Sequence, residues 1–365
     1  MGVKTRVAVV CLVLALLALV AVLGLRRGAQ SPRKPSAGEI GRRGEILDRE
    51  GVVLALDSAR PEAKAQNNEP DQRFERIYPL GETAANLVGF VSRQEAAGRR
   101  PVSGLELGID SVLKHGDARL TIDADLQRNA FQMLQHSVRS TRAAQGSALV
   151  MTIATGEILA LADYPGYDPT RARMYPSEAW RCHAVTDEFA PGPLAGDWEL
   201  MADNGKPVAE ELGLGHSAGI GLPAGAAGAL ACSLPAFRAS LLQLVQGYAT
   251  IANRGRMNHA RLVAPQASNR KPPAANRNQV LGPTLAAQLP NELTRSEAGG
   301  LEFAGAGGAI GQDSLSPILV YVGIFPAGEP KYVAGVMLDR PLTGYFNSET
   351  ARLLCEDIGR RVGEQ

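Results

Sequence analysis

The apolar positions of the chain group into segments of different period, and each period predicts a different element. An uncharged run covers residues 7–25 and is long enough, at about 1.5 Å per helical residue, to cross the hydrocarbon core of a bilayer. Two pairs of short apolar runs, 147–153 with 157–162 and 318–325 with 332–338, predict two β-hairpins. Neither hairpin can bury its faces alone, so we expect both to lie in one sheet.

Helical spacing marks two further segments. Apolar residues spaced by three and four follow Asp123, whose side chain is suited to cap a helix. A second stripe predicts a helix over 235–253, ended by Gly255. Strands and helices come in runs rather than in strict alternation, which favours an α+β fold over a doubly wound sheet.

The composition excludes several classes of protein. The 365 residues carry 38 Lys and Arg against 37 Asp and Glu, a net charge of +1, and only 5% of them are aromatic. A chain so balanced in charge and so poor in aromatic residues has neither a basic nucleic-acid arm nor a base-stacking platform. The four cysteines are scattered, and the five histidines show no metal-ligand spacing. We therefore expect no nucleic-acid partner, no metal and no cofactor.

Positive charges flank the apolar run at 7–25, with Lys4 and Arg6 before it and two arginines after it. A cleaved signal peptide would have a shorter apolar core and small residues at its cleavage site. This run is longer and ends in Leu-Arg-Arg, so we expect residues 1–27 to form a cytoplasmic tip and an uncleaved, single-pass transmembrane signal anchor. Residues 28–40 are polar and contain two prolines, which predicts a linker.

Several segments resemble, in order, those of the class B penicillin-binding proteins, the membrane-anchored bacterial transpeptidases of cell-wall elongation and cell division. The segments are RGEILDREG at 43–51, RIYPLG at 76–81, GLE at 104–106, LTIDADLQ at 120–127, ALVMTIATGEILALADYPGYDP at 148–169 and VGIFP at 322–326. Each match is short, but their shared order extends over most of residues 41–345.

The resemblance implies a domain organisation and a location. Residues 41–117 would form a reduced pedestal region, similar to the family's dimerisation domain, and residues 118–365 a reduced serine-β-lactamase-like transpeptidase domain. The anchor would lie in the bacterial inner membrane, with the main domain in the periplasm. Membrane proteins of the division or elongation complex would be partners, and peptidoglycan is a further candidate.

The chemistry of that family needs three motifs near one point. The serine of Ser-x-x-Lys attacks a D-Ala-D-Ala carbonyl, the lysine takes its proton, and Ser-x-Asn and Lys-Thr-Gly complete the site. Here Pro193 falls on the serine and Gly196 on the lysine. Ala306, Gly307 and Gly308 fall on Lys-Thr-Gly, and no Ser-x-Asn occurs in the chain. The sequence therefore predicts that this site has no catalytic residue.

Three literal matches suggest other chemistry. Ser217 stands in Gly-x-Ser-x-Gly, the nucleophile elbow of α/β-hydrolases, but the glycines and proline after it do not begin a helix. Ser111 and Lys114 form a Ser-x-x-Lys before the Leu-Thr-Ile-Asp segment, a spacing that arises often by chance. Glu157 and Asp163 have the spacing of a glycosidase acid pair, yet solvated carboxylates at strand ends are far commoner.

These observations favour a catalytically degenerate penicillin-binding-protein relative. It would serve as an interaction or scaffold subunit of the peptidoglycan-synthesis or division machinery. The alternative is an active enzyme, either a divergent D,D-transpeptidase or a serine hydrolase that uses Ser217. Covalent uptake of a labelled β-lactam distinguishes the two hypotheses.

Overall fold

The described ranges hold fourteen strands and nine α-helices, joined by loops and short 3-10 turns. The computed structural model describes residues 42–59, 74–94, 98–194, 208–212, 214, 220–222, 238–264, 278–288, 293–311, 317–347 and 349–363. The chain divides into two units, 1–40 and 41–365, and every described residue lies in the second. The predicted boundary between a pedestal region and a transpeptidase domain, at 117 and 118, stays a prediction.

The elements are numbered in chain order. The strands are β1 (Ile46–Leu47), β2 (Val53–Ala59), β3 (Phe74–Ile77), β4 (Val91–Gln94), β5 (Gly98–Pro101), β6 (Ala118–Arg119), β7 (Gln145–Thr152), β8 (Ile158–Tyr164), β9 (Glu188–Phe189), β10 (Ala239–Ser240), β11 (Thr294–Ala298), β12 (Leu301–Ile310), β13 (Ile318–Phe325) and β14 (Tyr332–Asp339). The helices are α1 (Ala85–Val88), α2 (Gly104–Gly108), α3 (Asp110–Leu113), α4 (Ala124–Thr141), α5 (His183–Thr186), α6 (Val208–Glu211), α7 (Leu241–Ala252), α8 (Pro283–Gln288) and α9 (Thr350–Gly363).

A six-stranded antiparallel sheet runs in the order β11-β12-β13-β14-β7-β8. The two predicted hairpins, β7–β8 and β13–β14, are neighbours in it because β14 pairs with β7 along its whole length. The prediction that they share one sheet is confirmed. Strand β11 has no counterpart among the predicted elements, because its sequence, TRSEA, is polar at most positions.

Helices cover both faces of this sheet. On one face α7 packs against β14, where a Cβ at Gly335 would lie 2.4 Å from a methyl of Val245. On the other face α4 and α9 share a hydrophobic cluster with β14. Helix α7 begins later than the predicted start at 235, because Ser240 and Gln243 form a capping box that fixes its first turn. The cap predicted at Asp123 is confirmed, since its side chain accepts from two amides of the first turn of α4.

The residues before α4 form smaller sheets. Strands β3, β2, β1 and β6 form a four-stranded sheet, and β4 pairs with β5 as a separate hairpin. Sheets and helices thus occur in separate layers, and the predicted α+β class is confirmed. Among the described residues no helix is both long and apolar enough to cross a membrane. The predicted anchor at 7–25 and linker at 28–40, with Gly196 and Ser217, lie outside the described residues.

Candidate functional site

The nucleophile position lies in a 3-10 turn, Gly192–Leu194, which follows β9. Helix α7 contacts this turn, because the hydroxyl of the buried Tyr248 donates to the Leu194 carbonyl at 2.9 Å. Pro193 is the middle residue of the turn and supplies neither a hydroxyl nor a backbone N–H. The structure therefore positions the backbone of this segment firmly, without the group that would attack a carbonyl.

The Lys-Thr-Gly position lies on β12, beside that turn. A Cβ built on Gly192 would lie 3.3 Å from Cγ1 of Ile310, the last residue of β12. The turn that contains Pro193 and the strand that contains Ala306, Gly307 and Gly308 thus lie side by side. These three residues carry no amine and no hydroxyl.

Within the described ranges, one edge of β12 has no strand partner beyond Gly305. Strand β13 pairs with β12 as far as Ile310, whereas β11 ends its pairing at Gly305. No other strand of the described ranges pairs with that edge beyond Gly305. Unpaired N–H and C=O groups on a strand edge accept an extended peptide as an added strand. Among the described strands, this edge of β12 beyond Gly305 thus has its backbone groups unpaired by a neighbouring strand.

The two glycines on this stretch differ in the space around them. A Cβ at Gly307 would lie 2.3 Å from the carbonyl oxygen of Val320 on β13, whereas a Cβ at Gly308 would have no atom within 4 Å. The backbone therefore has no room for a threonine at 307 without a shift of the paired strand. This strand therefore differs from a Lys-Thr-Gly strand in its backbone geometry as well as in its residues.

The lysines of the described part of the chain are Lys114 and Lys331, and neither is in the turn or on β12. Lys114 follows α3 and pairs through Nζ with a carboxylate oxygen of Asp110 at 2.6 Å. Ser111 of the literal Ser-x-x-Lys match is exposed on α3, outside the sheet. The described ranges also contain no group of three or more His, Cys, Asp or Glu side chains that could hold a metal ion.

The acid pair suggested by spacing is not formed. Glu157 is half-buried and pairs with Arg261 at 2.8 Å. Asp163, expected as a solvated carboxylate, is 3% exposed. It accepts from the Ser147 hydroxyl at 2.5 Å and from the Ala184 amide at 3.1 Å. The expectation of solvation was wrong for Asp163 because the α5 segment folds over the end of β8, a long-range contact that strand spacing does not report.

His183 and Asp187 continue this buried polar cluster. The Nδ1 atom of His183 lies 2.9 Å from a carboxylate oxygen of Asp187. Burial alone would lower the pKa of His183, but this hydrogen bond and the charge of Asp163 outweigh burial and raise it. For Asp187 burial acts upward, yet the bond to His183 prevails and lowers its pKa to about 2. Burial raises the pKa of Asp163. Cys182, beside them, is buried as a thiol, and burial raises its pKa also.

This cluster supports the approach to the turn. It fastens α5 to β7 and β8, and the chain then passes through β9 into Gly192–Leu194. Beta strand β9 pairs with β10, which leads directly into α7. The cluster is therefore a support for the site, and its buried thiol stays protonated.

Three residues from separate segments that carry the resemblance meet in a buried ion network. Arg43 Nε and Arg76 Nε donate to the two carboxylate oxygens of Glu106, at 2.5 and 2.7 Å. Arg43 also reaches Asp110, and Asp57 accepts from the Arg43 amide at 2.7 Å. Glu106 has no exposed surface. The sequence signal for this network was that Arg43, Arg76 and Glu106 each lie in a segment that carries the resemblance, but their mutual contact was not predictable from spacing.

The comparisons with known proteins agree with this architecture. The family model of the penicillin binding protein transpeptidase domain matches residues 198–358, beginning five residues after Pro193 and including 306–308. Among solved structures, penicillin binding protein 3 from Mycobacterium tuberculosis superposes with a TM-score of 0.71 at 21% identity, covering 91% of this chain and 97% of that chain. At that identity the superposition establishes the fold.

Relatives in sequence are peptidoglycan transpeptidases. The peptidoglycan D,D-transpeptidase FtsI of Escherichia coli is 30% identical in an alignment 163 positions long, which covers 37% of this chain and 27% of that protein. The probable peptidoglycan D,D-transpeptidase PbpC of Pseudomonas aeruginosa is 24% identical in an alignment 404 positions long, which covers 79% of this chain and 70% of that protein. The chain thus matches only about a quarter of the length of FtsI. Residues 198–358 thus match the penicillin binding protein transpeptidase domain, and over part of its length the chain is homologous to peptidoglycan D,D-transpeptidases such as FtsI.

Proposed function

We propose that this chain is a non-catalytic class B penicillin-binding-protein homologue that acts as an interaction subunit in peptidoglycan synthesis or cell division. In this proposal residues 7–25 anchor it in the bacterial inner membrane and the unit 41–365 lies in the periplasm. The support comes from what the site retains and what it lacks.

One observation carries the proposal. The turn at Gly192–Leu194 and strand β12 lie side by side, but their residues are Pro193 and Ala306, Gly307 and Gly308. Acyl transfer needs a nucleophile, a base and donors aimed at the developing oxyanion. Proline, alanine and glycine supply no side-chain group for the first two roles. A site with this composition supports binding of a peptide strand and not its covalent capture.

The retained parts support an interaction role. Helix α7, the six-stranded sheet and the buried ion network are all packed, and these elements carry no catalytic group in this chain. Loss of chemistry without loss of fold is what selection for binding alone would leave. The open edge of β12 beyond Gly305 is one surface on which such binding can occur.

The direct test is covalent labelling of the purified full chain with a fluorescent penicillin, followed by a denaturing gel with a β-lactam-blocked control. We expect no labelled band, and a band would overturn the proposal. A fluorophosphonate probe on wild type and Ser217→Ala tests the hydrolase alternative, since labelling that disappears in the variant would assign the nucleophile to Ser217.

A restoration variant tests whether only two residues separate this chain from activity. Pro193→Ser with Gly196→Lys recreates the nucleophile and its base in sequence. We expect no penicillin uptake, because Lys-Thr-Gly is also absent and one missing oxyanion donor alone costs about 3 kcal/mol in comparable acyl transfer. A penicillin-labelled band in this variant would mean that the rest of the site is competent.

The anchoring part of the proposal has its own measurement. We expect the chain to stay with the membrane fraction after a high-salt wash and to be released by detergent, because the run at 7–25 carries no charge. Recovery of a soluble periplasmic form beginning near residue 28 would show instead that the run is a cleaved signal peptide.

A further inference from the structure

Two adjoining cavities form a groove away from the Pro193 turn, and we call it the hairpin groove. Their volumes are about 360 and 350 Å³, and Phe90, Ser92 and Arg173 line both. The β4–β5 hairpin forms one wall, and the 3-10 turn Pro169–Met174 forms the other. Because the cavities share these three residues, they adjoin at Phe90, Ser92 and Arg173.

The floor of the hairpin groove is apolar and fixed. Phe90 and Trp180 meet edge to face with ring centroids 5.0 Å apart, and the Trp180 indole N–H donates to the Ala172 carbonyl at 2.9 Å. Leu107 adds to the apolar lining of one cavity and Met174 to that of the other, with 42% and 80% of their surfaces exposed. An apolar floor with exposed apolar side chains is typical of a surface that a partner covers.

The rim of the groove is strongly positive. Five arginines line it, and one acidic residue, Glu75, lines the same cavities. The arginines are the buried Arg76 together with Arg99, Arg100, Arg171 and Arg173. Arg99 contacts Asp57 and Arg173 contacts Ser92, whereas Arg100 and Arg171 are exposed to solvent. Arg171 is 3.8 Å from Asp168, a distance at which the pair is weak.

This concentration of charge is local, because the whole chain has a net charge of only +1. Guanidinium groups bind carboxylates in a bidentate geometry, and an apolar cavity accepts an aliphatic or aromatic side chain. A polypeptide segment that alternates carboxylates with an apolar residue therefore matches both features. A neutral glycan would leave the positive charge of the rim without a counter-charge.

We propose that the hairpin groove is a docking site for an acidic, apolar-centred segment of a partner protein. This assignment rests on the proposed function, since an interaction subunit requires a partner surface, and it states where that surface lies and what chemistry the partner presents. The segment would place its apolar side chain on the floor beside Leu107 and its carboxylates against Arg100 and Arg171.

The test selects short random peptides, displayed on phage, against the full chain in detergent. The matched variants are Arg100→Glu with Arg171→Glu, which reverses the rim, and Leu107→Ser, which removes apolar floor. Arg128→Glu with Arg295→Glu reverses the same number of charges outside the groove and serves as control. Affinities of synthetic copies of the enriched peptides are measured by fluorescence anisotropy at low and high salt.

We expect an enriched consensus with carboxylates on both sides of an apolar residue. Its affinity should fall at least about tenfold for the rim variant and with added salt, and remain within about twofold for the control. Absence of enrichment, a consensus without acidic residues, or equal binding to the rim variant would overturn the assignment. Displacement of the peptide by a muropeptide fragment would also overturn the assignment, because the groove would then bind peptidoglycan.

The proposed function and this assignment can fail separately. Penicillin labelling of wild type would refute the non-catalytic role, while the peptide selection would be unaffected. The converse outcome is that the penicillin test shows no labelling while no acidic peptide binds through Arg100 and Arg171. In that case the proposed function stands, and the hairpin groove is not its partner-binding surface.

Discussion

Replacing Glu106 by glutamine should destabilise the unit 41–365 far more than an ordinary charge removal. The carboxylate is fully buried and receives the Nε–H donors of Arg43 and Arg76. After the change two buried guanidinium groups share one neutral acceptor. Breaking a buried ion pair on one side costs about 3–5 kcal/mol, because the remaining charge stays desolvated and unpaired.

Two remaining contacts of the arginines place the expected loss of stability at the lower end of that range. Arg43 keeps its bond to Asp110 at 2.5 Å, and Arg76 keeps a long contact of 3.4 Å to Asp57. We therefore expect a loss of about 3 kcal/mol for Glu106→Gln and a larger loss for Glu106→Ala. A loss of that size is a large fraction of the 5–15 kcal/mol, roughly, by which a domain is stable.

Urea unfolding of the full chain, followed by tryptophan fluorescence, measures the free energy of unfolding. Glu45→Gln is the matched control, since Glu45 pairs with Arg42 at 2.7 Å but both side chains are partly exposed, at 26% and 33%. Such a pair contributes about 0–1 kcal/mol. If Glu106→Gln costs no more than Glu45→Gln, the reasoning from burial is refuted. In addition, Arg43→Met should cost less in the Glu106→Gln background than in wild type, because the two changes remove one shared interaction.

The remaining predictions concern β12 and the polar cluster. Gly307→Ala should lower the unfolding free energy by about 1–3 kcal/mol, because its Cβ would meet a carbonyl of β13. Gly308→Ala is the control and should change the unfolding free energy by less than about 0.5 kcal/mol. Equal effects of the two variants would contradict the observed strand geometry. Asp187→Asn should reduce stability most where Asp187 is ionised and His183 is protonated. The pKa of Asp187 is lowered to about 2, so the contribution of its carboxylate to stability is lost as the pH falls below about 4. The pKa of His183 is raised, so the contribution of its imidazolium is complete below about pH 6.5 and is lost as the pH rises above that. Unfolding curves for both proteins across this pH range check the prediction, and a stability difference that does not change with pH would contradict it.

Local sequence determined the elements whose signals lie within a few residues. Apolar runs on either side of Thr155-Gly156 are enough to predict the β7–β8 hairpin, because alternation and turn residues act between neighbours. Asp123 is enough to predict the start of α4 for the same reason. The polar strand β11 was missed because only its pairing with β12 makes it a strand.

The chemistry of the candidate site also followed from sequence, because the residue types at Pro193 and at 306–308 state which groups are present. Tertiary structure alone decided that these positions, more than a hundred residues apart, lie side by side and that Gly307 has no room for a side chain. It also decided that Asp163 and Glu106 are buried. Burial and partners depend on which distant segments fold over a residue, and no period along the chain records that.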